Sequence, residues 1–352
     1  MQKIIFLIGS CILGLGLMAQ DNGNSGIVTN RFSVSARAQA LAGQLGGLEN
    51  AGIISGAEVA STMRLDGYEM VLSHASIFKG MGAYEMVFGM PYQIAGQDVS
   101  IGFGVRRFSY GEFTETNQFG QELGTFTLSD NAFKVFGSWF YQENISFGAQ
   151  LEYQTMRLQN SSASQLAGSI NATYAEPERG LIFTADLRNH GFILSNNIGT
   201  ELDVEPEWRL YASKKLQGSP FRFMLTWTNL REWDVVYRDP NAQPTTDPIT
   251  GNVIPVNEPS TFEKGLSHLV FGSEISFSKH IAVYVGYDYR RRQENLYTQK
   301  PGTVGVAWGA KVGVKSFTVE YARNKVHLSN SINSFSVFIP FKAKRKKAKL
   351  EA

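Results

Sequence analysis

Ser76, Lys79, Ser129, Asp130 and Asn131 have the types and spacing that come nearest to catalysis in this chain. Ser76-Ile77-Phe78-Lys79 fits S-x-x-K and Ser129-Asp130-Asn131 fits S-D-N, fragments of a site in which a lysine activates a serine for acyl transfer. The third fragment, K-T-G, is absent, and S-x-x-K recurs at Ser276-Phe277-Ser278-Lys279. Such a serine opens a helix, where the lysine can reach it, but Ser76 ends an alternating run that reads as a strand. Two short fragments without the third are coincidence, and the chain is expected not to be an enzyme. His74, His190, His268, His280 and His327 form no H-E-x-x-H or close ligand pair, and the one cysteine is Cys11. No metal site and no cofactor is expected from such a set. The glycines between Gly43 and Gly47 lack the G-K-[ST] ending of a phosphate loop.

The charges that do follow a rule are Glu274, Asp288, Lys311 and Glu320. They lie in five runs of period-two alternation, Ser267 to Phe277, Ile281 to Arg290, Thr303 to Val314, Ser316 to Arg323 and Ser331 to Phe341. Period two means strands. One parity holds Leu269, Phe271, Ile275, Phe277, Val283, Val285, Tyr287, Val304, Val306, Trp308, Val312, Phe317, Val319 and Tyr321. All four charges fall on the other parity, beside Gly272, Gly286, Ala307 and Gly309. A charge facing lipid near the midplane costs roughly 2–4 kcal/mol, so this pattern suits a membrane barrel with an apolar outside and a small or polar lumen. A soluble sandwich instead carries Lys, Glu and Thr on its second face. If Val314 opposes Phe317, Lys311 opposes Glu320, and Asp288 is expected on the other flank of Lys311.

Nine further strands read from the pattern, Tyr68 to Ser76, Met81 to Tyr92, Asp98 to Phe113, Thr125 to Tyr141, Ile145 to Leu158, Ala163 to Tyr174, Gly180 to Asn189, Pro206 to Lys215 and Phe221 to Asn229. The expected fold is therefore all-β: a transmembrane antiparallel up-and-down β-barrel of about fourteen strands over residues 68–341, even-numbered as such barrels are. Both termini are expected in the periplasm. Short turns at Gln142 to Asn144, Glu176 to Arg179, Leu216 to Pro220, Ser278 to His280 and Lys315 lie at that end. Longer connectors, Thr114 to Gly124, His190 to Glu205, Leu230 to Leu266, Arg291 to Gly302 and Asn324 to Asn330, lie at the other.

Residues 1–19 read as a secretory signal, with Lys3, an apolar core and a small residue at Ala19. No later run is long and apolar enough for a membrane helix, so the chain is expected in a bacterial outer membrane. Residues 20–67 are rich in small residues and lack alternation, and are expected to form a plug or cap at the barrel mouth. The low charge content, 18%, and net charge of +2 exclude a general nucleic-acid binder.

Three stretches are candidates for contact with partners. The loop Leu230 to Leu266 carries five prolines, too many for a buried strand, and Trp233, Tyr237, Arg238 and Asp239 are its expected docking residues. Arg290, Arg291 and Arg292 at a strand end suit an acidic partner, lipopolysaccharide phosphate or lipid headgroups. Residues 342–352 hold Lys344, Arg345, Lys346 and Lys347, a basic tail expected to be solvated in the periplasm or to meet anionic lipid headgroups or an acidic partner.

Several segments resemble a known family: Pro220-Phe221-Arg222-Phe223 through Asn229-Leu230-Arg231-Glu232-Trp233-Asp234, His268 to Glu274, Tyr287-Asp288-Tyr289-Arg290-Arg291-Arg292-Gln293-Glu294, and Tyr321-Ala322-Arg323 through Phe335-Ser336. They are similar to the PorQ group of the type IX secretion system of Bacteroidota, itself similar to PorV and FadL-like barrels. The resemblance implies a non-catalytic outer-membrane barrel that works with PorZ-, PorV- and PorU-like partners, holding a PorZ-like protein at the surface while cargo is attached to lipopolysaccharide. The alternative is a FadL-like channel for uptake of hydrophobic molecules.

Overall fold

The computed structural model describes residues 32–48, 53, 59–94, 96–199, 201–236, 238, 243–246, 252–254, 258–294 and 302–341. Residues 1–19, read above as a secretory signal, Tyr237, Asp239 and Lys344, Arg345, Lys346 and Lys347 lie outside these residues.

Fourteen antiparallel strands close on themselves. They are β1 (Tyr68–Phe78), β2 (Met81–Ile94), β3 (Gln97–Thr116), β4 (Glu122–Gln142), β5 (Ile145–Leu158), β6 (Ser161–Glu176), β7 (Leu181–Asn196), β8 (Glu207–Lys215) and β9 (Phe221–Trp227). A two-residue hairpin, β10 (Thr245–Thr246) with β11 (Val253–Ile254), sits in the long connection. The wall resumes with β12 (Leu269–Ser276), β13 (Ile281–Asp288), β14 (Val306–Gly313), β15 (Thr318–His327) and β16 (Asn330–Phe341). Pairing of β1 with β16, Tyr68 opposite Phe341, completes the ring. Closure leaves no edge strand, so each strand of the wall is paired on both sides, which is how a membrane-spanning sheet satisfies its backbone.

Alternation fixes the faces. Phe103, Val105, Phe133, Val135, Leu151, Phe223, Phe271, Val285 and Trp308 are exposed on the outside, whereas Ser73, Glu85, Arg106, Lys134, Glu152, Glu320 and Ser336 are buried on the inside. Because the side-chain period is two, a one-residue slip of any strand would turn its charges into lipid. Cysteines at Val283, Val306 and Val319 are accordingly expected to react with a lipid-phase label, and those at Tyr284, Ala307 and Thr318 to stay unlabelled. Equal labelling of both sets would refute the register. Val304 departs from the expected face: it precedes β14 and is fully buried.

The turns correct the expected division into tight and open ends. Gln159 and Asn160 are the turn between β5 and β6, and Leu328 and Ser329 that between β15 and β16, both at the end away from the termini. At that end β3 and β4 also run further than expected, leaving only residues 117–121 between them. Polar strand residues such as Thr114, Glu115 and Thr125 keep the ladder going where the apolar signal has stopped. β7 continues to Asn196 past a register shift, with Asn189 at φ 59.

The described residues of the N-terminal segment, 32–48, 53 and 59–65, pack inside the barrel. The helix Ala36–Ala40 is wholly buried, as is the short 3-10 turn Ala60–Thr62. Leu41, Leu45, Leu48 and Val59 pack against inward-facing Tyr211, Met224, Ala282, Tyr284 and Ala322. Ile53, Met63 and Leu65 pack against Val71, Val87 and Phe136 on the opposite wall. The segment therefore touches strands on all sides of the ring.

Candidate functional site

The lumenal segment meets the wall at one ion pair, a set of hydrogen bonds and several glycine seats. Arg37 forms a bidentate pair with Glu320, its Nε donating to Oε2 at 3.2 Å and its Nη2 to Oε1; the side chains are 9% and 2% exposed. The Arg37 guanidinium also lies 5.3 Å from the centre of the Tyr284 ring, a cation–π contact in a site with little water. Beside it, Asn324 Nδ2 donates to Gln39 Oε1 at 2.9 Å and Ala36 N to Ser336 Oγ at 2.9 Å. On the far side, Ser61 N donates to Asn171 Oδ1 at 2.7 Å, and Ser138 Oγ and Ser146 Oγ donate to Met63 O and Ser61 O. Thr184 and Ser213 hydroxyls donate to the carbonyls of Gly46 and Gly47. Serine and threonine on inward strand positions thus satisfy the backbone groups of a segment that has little secondary structure of its own, as burial demands.

The small inward residues have a physical reason in the same contacts. A Cβ at Gly286 would lie 2.5 Å from Leu41 C and 2.7 Å from Ala42 N, and one at Gly272 2.8 Å from Gln44 Nε2. At Gly148 it would strike Ser61 N. The wall is thinned to bare backbone where the segment presses against it.

A second set of charges lines the lumen beyond the segment. Lys134 Nζ donates to Glu85 Oε1 at 2.6 Å and Arg106 Nη2 to Glu152 Oε1 at 2.6 Å; Arg188 pairs with Asp186 at 3.0 Å and Arg209 with Glu207 at 2.6 Å. Six of these eight side chains are under 8% exposed, and Arg209 and Glu207 are 14% and 9% exposed. Pairing is what makes such burial tolerable. None of these residues belongs to a motif in the sequence. Glu85, Arg106, Lys134 and Glu152 nonetheless obey the same parity as the charges of the last five strands, all falling on the inward face of β2 to β5.

Of the residues that were singled out, Lys311 does oppose Glu320 across the β14–β15 ladder, but the Glu320 carboxylate is held by Arg37 from the lumenal segment. Asp288 does not flank Lys311, whose partner on β13 is Ala282; Asp288 lies at the other end of that strand and accepts from Arg291 N at 3.0 Å. Glu274 approaches Arg222 at 4.0 Å. Arg290, Arg291 and Arg292 lie just past the end of β13, in a helical turn, Tyr289–Glu294. There Arg290 pairs with Glu294 at 3.6 Å, Arg291 with Asp288 at 3.5 Å, and Arg292 with the Gly302 carbonyl. Backbone kept helical after Asp288 lets these arginines fold back on the chain.

In the long connection Trp233 stacks on His268, ring centres 5.6 Å apart. The two imidazole nitrogens of His268 face Thr228 O at 2.8 Å and Trp233 O at 3.1 Å. Asp234 is the hub of the described loop, bound to Arg238 at 2.8 Å and Lys264 at 2.6 Å, and Arg238 reaches Glu258 at 3.3 Å. The helix Thr261–Leu266 is started by a capping box between Ser260 and Glu263. Hydrogen bonds from Arg238 and Lys264 hold the Asp234 carboxyl down, from 3.8 to about 2. A depressed acid stabilises the loop above its ordinary range and loses that contribution as pH falls through its folded value. Trp233 fluorescence is therefore expected to change with a midpoint near 2, and the Asp234→Asn variant to lack that transition. A midpoint at or above 3.8 would show that the hub is not formed.

Ser76 lies in β1 and Ser129 in β4, three ladders apart through Gly82 and Ser109, and Asp130 turns inward to accept from the Tyr110 hydroxyl at 2.8 Å. No family model and no curated protein matches the sequence. Solved structures do match. The toluene transporter TodX of Pseudomonas putida is 12% identical with a TM-score of 0.52, covering 87% of this chain and 97% of its own. A FadL homologue from Pseudomonas aeruginosa is 13% identical with a TM-score of 0.44, covering 91% of this chain and 100% of its own. Identity this low speaks to architecture alone, and the architecture shared with TodX is a closed antiparallel β-barrel.

Proposed function

We propose that this chain is a gated outer-membrane channel for small hydrophobic molecules, with residues 32–65 as the gate and no catalytic step. The observation that carries the reading is the separate segment packed inside a complete barrel. Fourteen paired strands need no internal filler to satisfy their backbone, whereas a pore that must stay closed at rest does. The fold shared with a toluene transporter supports the choice of an apolar solute. The termini face the periplasm in this reading, with the long connection 228–268 outside. The test is uptake of a radiolabelled monoaromatic hydrocarbon by cells carrying the full chain, against cells carrying an empty vector. Faster uptake supports the channel, and identical rates reject it.

A second reading, attachment of a surface protein in type IX secretion, is favoured by a different observation. The loop around Asp234 is braced by three ion pairs while Trp233 and Phe262 stay 52% and 74% exposed, and aromatic side chains on a braced surface are typical of protein interfaces. It also accounts for the resemblance of Pro220 to Asp234 and His268 to Glu274 to the PorQ group. Affinity purification from outer membranes separates the readings: co-recovery of PorZ-, PorV- or PorU-like proteins favours attachment, and recovery of the barrel alone favours the channel.

A further inference from the structure

On the lipid-facing wall, the apolar surface of three neighbouring strands ends at the same rung. β3 presents Val99, Ile101, Phe103 and Val105 and then Arg107; β4 presents Val135 and Phe133 and then Asn131; β5 presents Leu151 and Tyr153 and then Thr155. Arg107 opposes Asn131, and Asn131 opposes Thr155. The Arg107 guanidinium donates to Asn131 Oδ1 at 3.3 Å, which holds it flat along the wall. The next rung adds a second outward cation, Arg157, opposite Ser129. With strands about 4.8 Å apart and about 3.4 Å of rise per residue, the two arginine backbones stand roughly 12 Å from each other.

Beside this polar edge the wall is concave. A groove of about 740 Å³ runs over Leu72, Met86, Val105, Phe133, Tyr153 and Val337, all of them outward-facing. Its upper margin is formed by Arg107, Asn131 and Thr155, with the stacked rings of His74 and Tyr84, 4.5 Å apart, at one side. Acyl chains match the apolar trough. Exposed guanidinium groups at the point where the apolar band stops match phosphate, which arginine holds through paired N–H donors. Arginine at this depth is costly unless its charge meets headgroups.

We propose that this groove is a binding site for a phosphorylated acyl glycolipid of the outer leaflet, with acyl chains over Val105 and Phe133 and phosphate at Arg107 and Arg157. The choice of the outer leaflet rests on the orientation stated above, since the groove's polar margin lies towards the end away from the termini. The site does not depend on solute passage or on the loop around Asp234.

The test is native mass spectrometry of the full chain in detergent, titrated with a diphosphorylated, acylated glucosamine disaccharide. The wild-type protein should retain this lipid about tenfold better than its phosphate-free counterpart, the scale of one charge-assisted contact. The Arg107→Gln, Arg157→Gln double variant should lose that preference. Val105→Trp, which fills the trough and keeps both arginines, should lose the lipid as well. Heat-modifiable migration checks that each variant is a folded barrel. Equal retention of the phosphate-free lipid, undiminished retention by the variants, or equal competition by phosphatidylglycerol would overturn the proposal. Labelling of a cysteine placed at Asn117 on intact cells reads the orientation separately, so a wrong orientation and an absent site are told apart.

Discussion

Replacing Arg37 with Ala is expected to turn a closed barrel into a leaking one. Arg37 and Glu320 are buried and bidentate, and removing one partner of such a pair leaves the other charge without compensation, at about 3–5 kcal/mol. The wall is fixed by ladders on both flanks of β15, so the cost is relieved by water entering beside Glu320 and by loosening of the segment around Ala36–Ala40. Planar-bilayer recording should show openings that the wild type lacks, and limited proteolysis should cut residues 32–48 faster while the barrel stays heat-modifiable. Lys311 gives the prediction an internal check. It faces Glu320 across the ladder, so the Arg37→Ala, Lys311→Met double variant should leak more than the single one. A charge-free replacement of both partners, Arg37→Met with Glu320→Leu, should close the pore again, because a buried ion pair is often exchangeable for apolar contact. Unchanged conductance in Arg37→Ala would mean that the pair does not hold the segment.

Gly286→Val should displace the segment without opening the wall. The nearest atoms to a Cβ there are Leu41 C, Ala42 N and Leu41 Cα, at 2.5, 2.7 and 2.9 Å, all belonging to the segment and all backbone. Valine suits a strand, so β13 itself gains rather than loses. Backbone at such distances cannot be moved aside by a rotamer change, and overpacking of this kind typically costs about 1–3 kcal/mol, occasionally more. A methyl-sized probe of the same position, Gly286→Ala, should give a smaller leak in the same direction. The measurement is the same conductance assay, with the lipid-phase label at Val283 as control for β13. If Gly286→Val stays closed and the label at Val283 is unchanged, the segment does not pack on β13.

The wall was legible in the sequence because lipid enforces period two so strictly. The inward placement of Glu274, Asp288, Lys311 and Glu320 followed from parity alone, and the β14–β15 register followed from a two-residue turn. Strand ends beyond the lipid were not legible, since Thr114 to Thr116 and Glu122 to Gly124 carry no apolar alternation yet continue the ladder. What fills the lumen was legible only as a compositional change. The described residues of this segment are held by several different strands, Arg37 by Glu320, Ser61 by Asn171 and Gly46 by Thr184, so their sequence carries no single period. Charge parity showed which face Glu320 takes but gave no hint that its partner lies 283 positions away.

The recesses at Gly286, Gly272 and Gly148 are made of main chain rather than of side chains. A hollow bordered by side chains can relax inward when its occupant leaves, but one cut into hydrogen-bonded strands keeps its outline. The barrel is in that sense a mould of the described residues of the segment: with the segment deleted the imprint is expected to persist, and a synthetic peptide of that sequence supplied from outside would have a preformed place to return to.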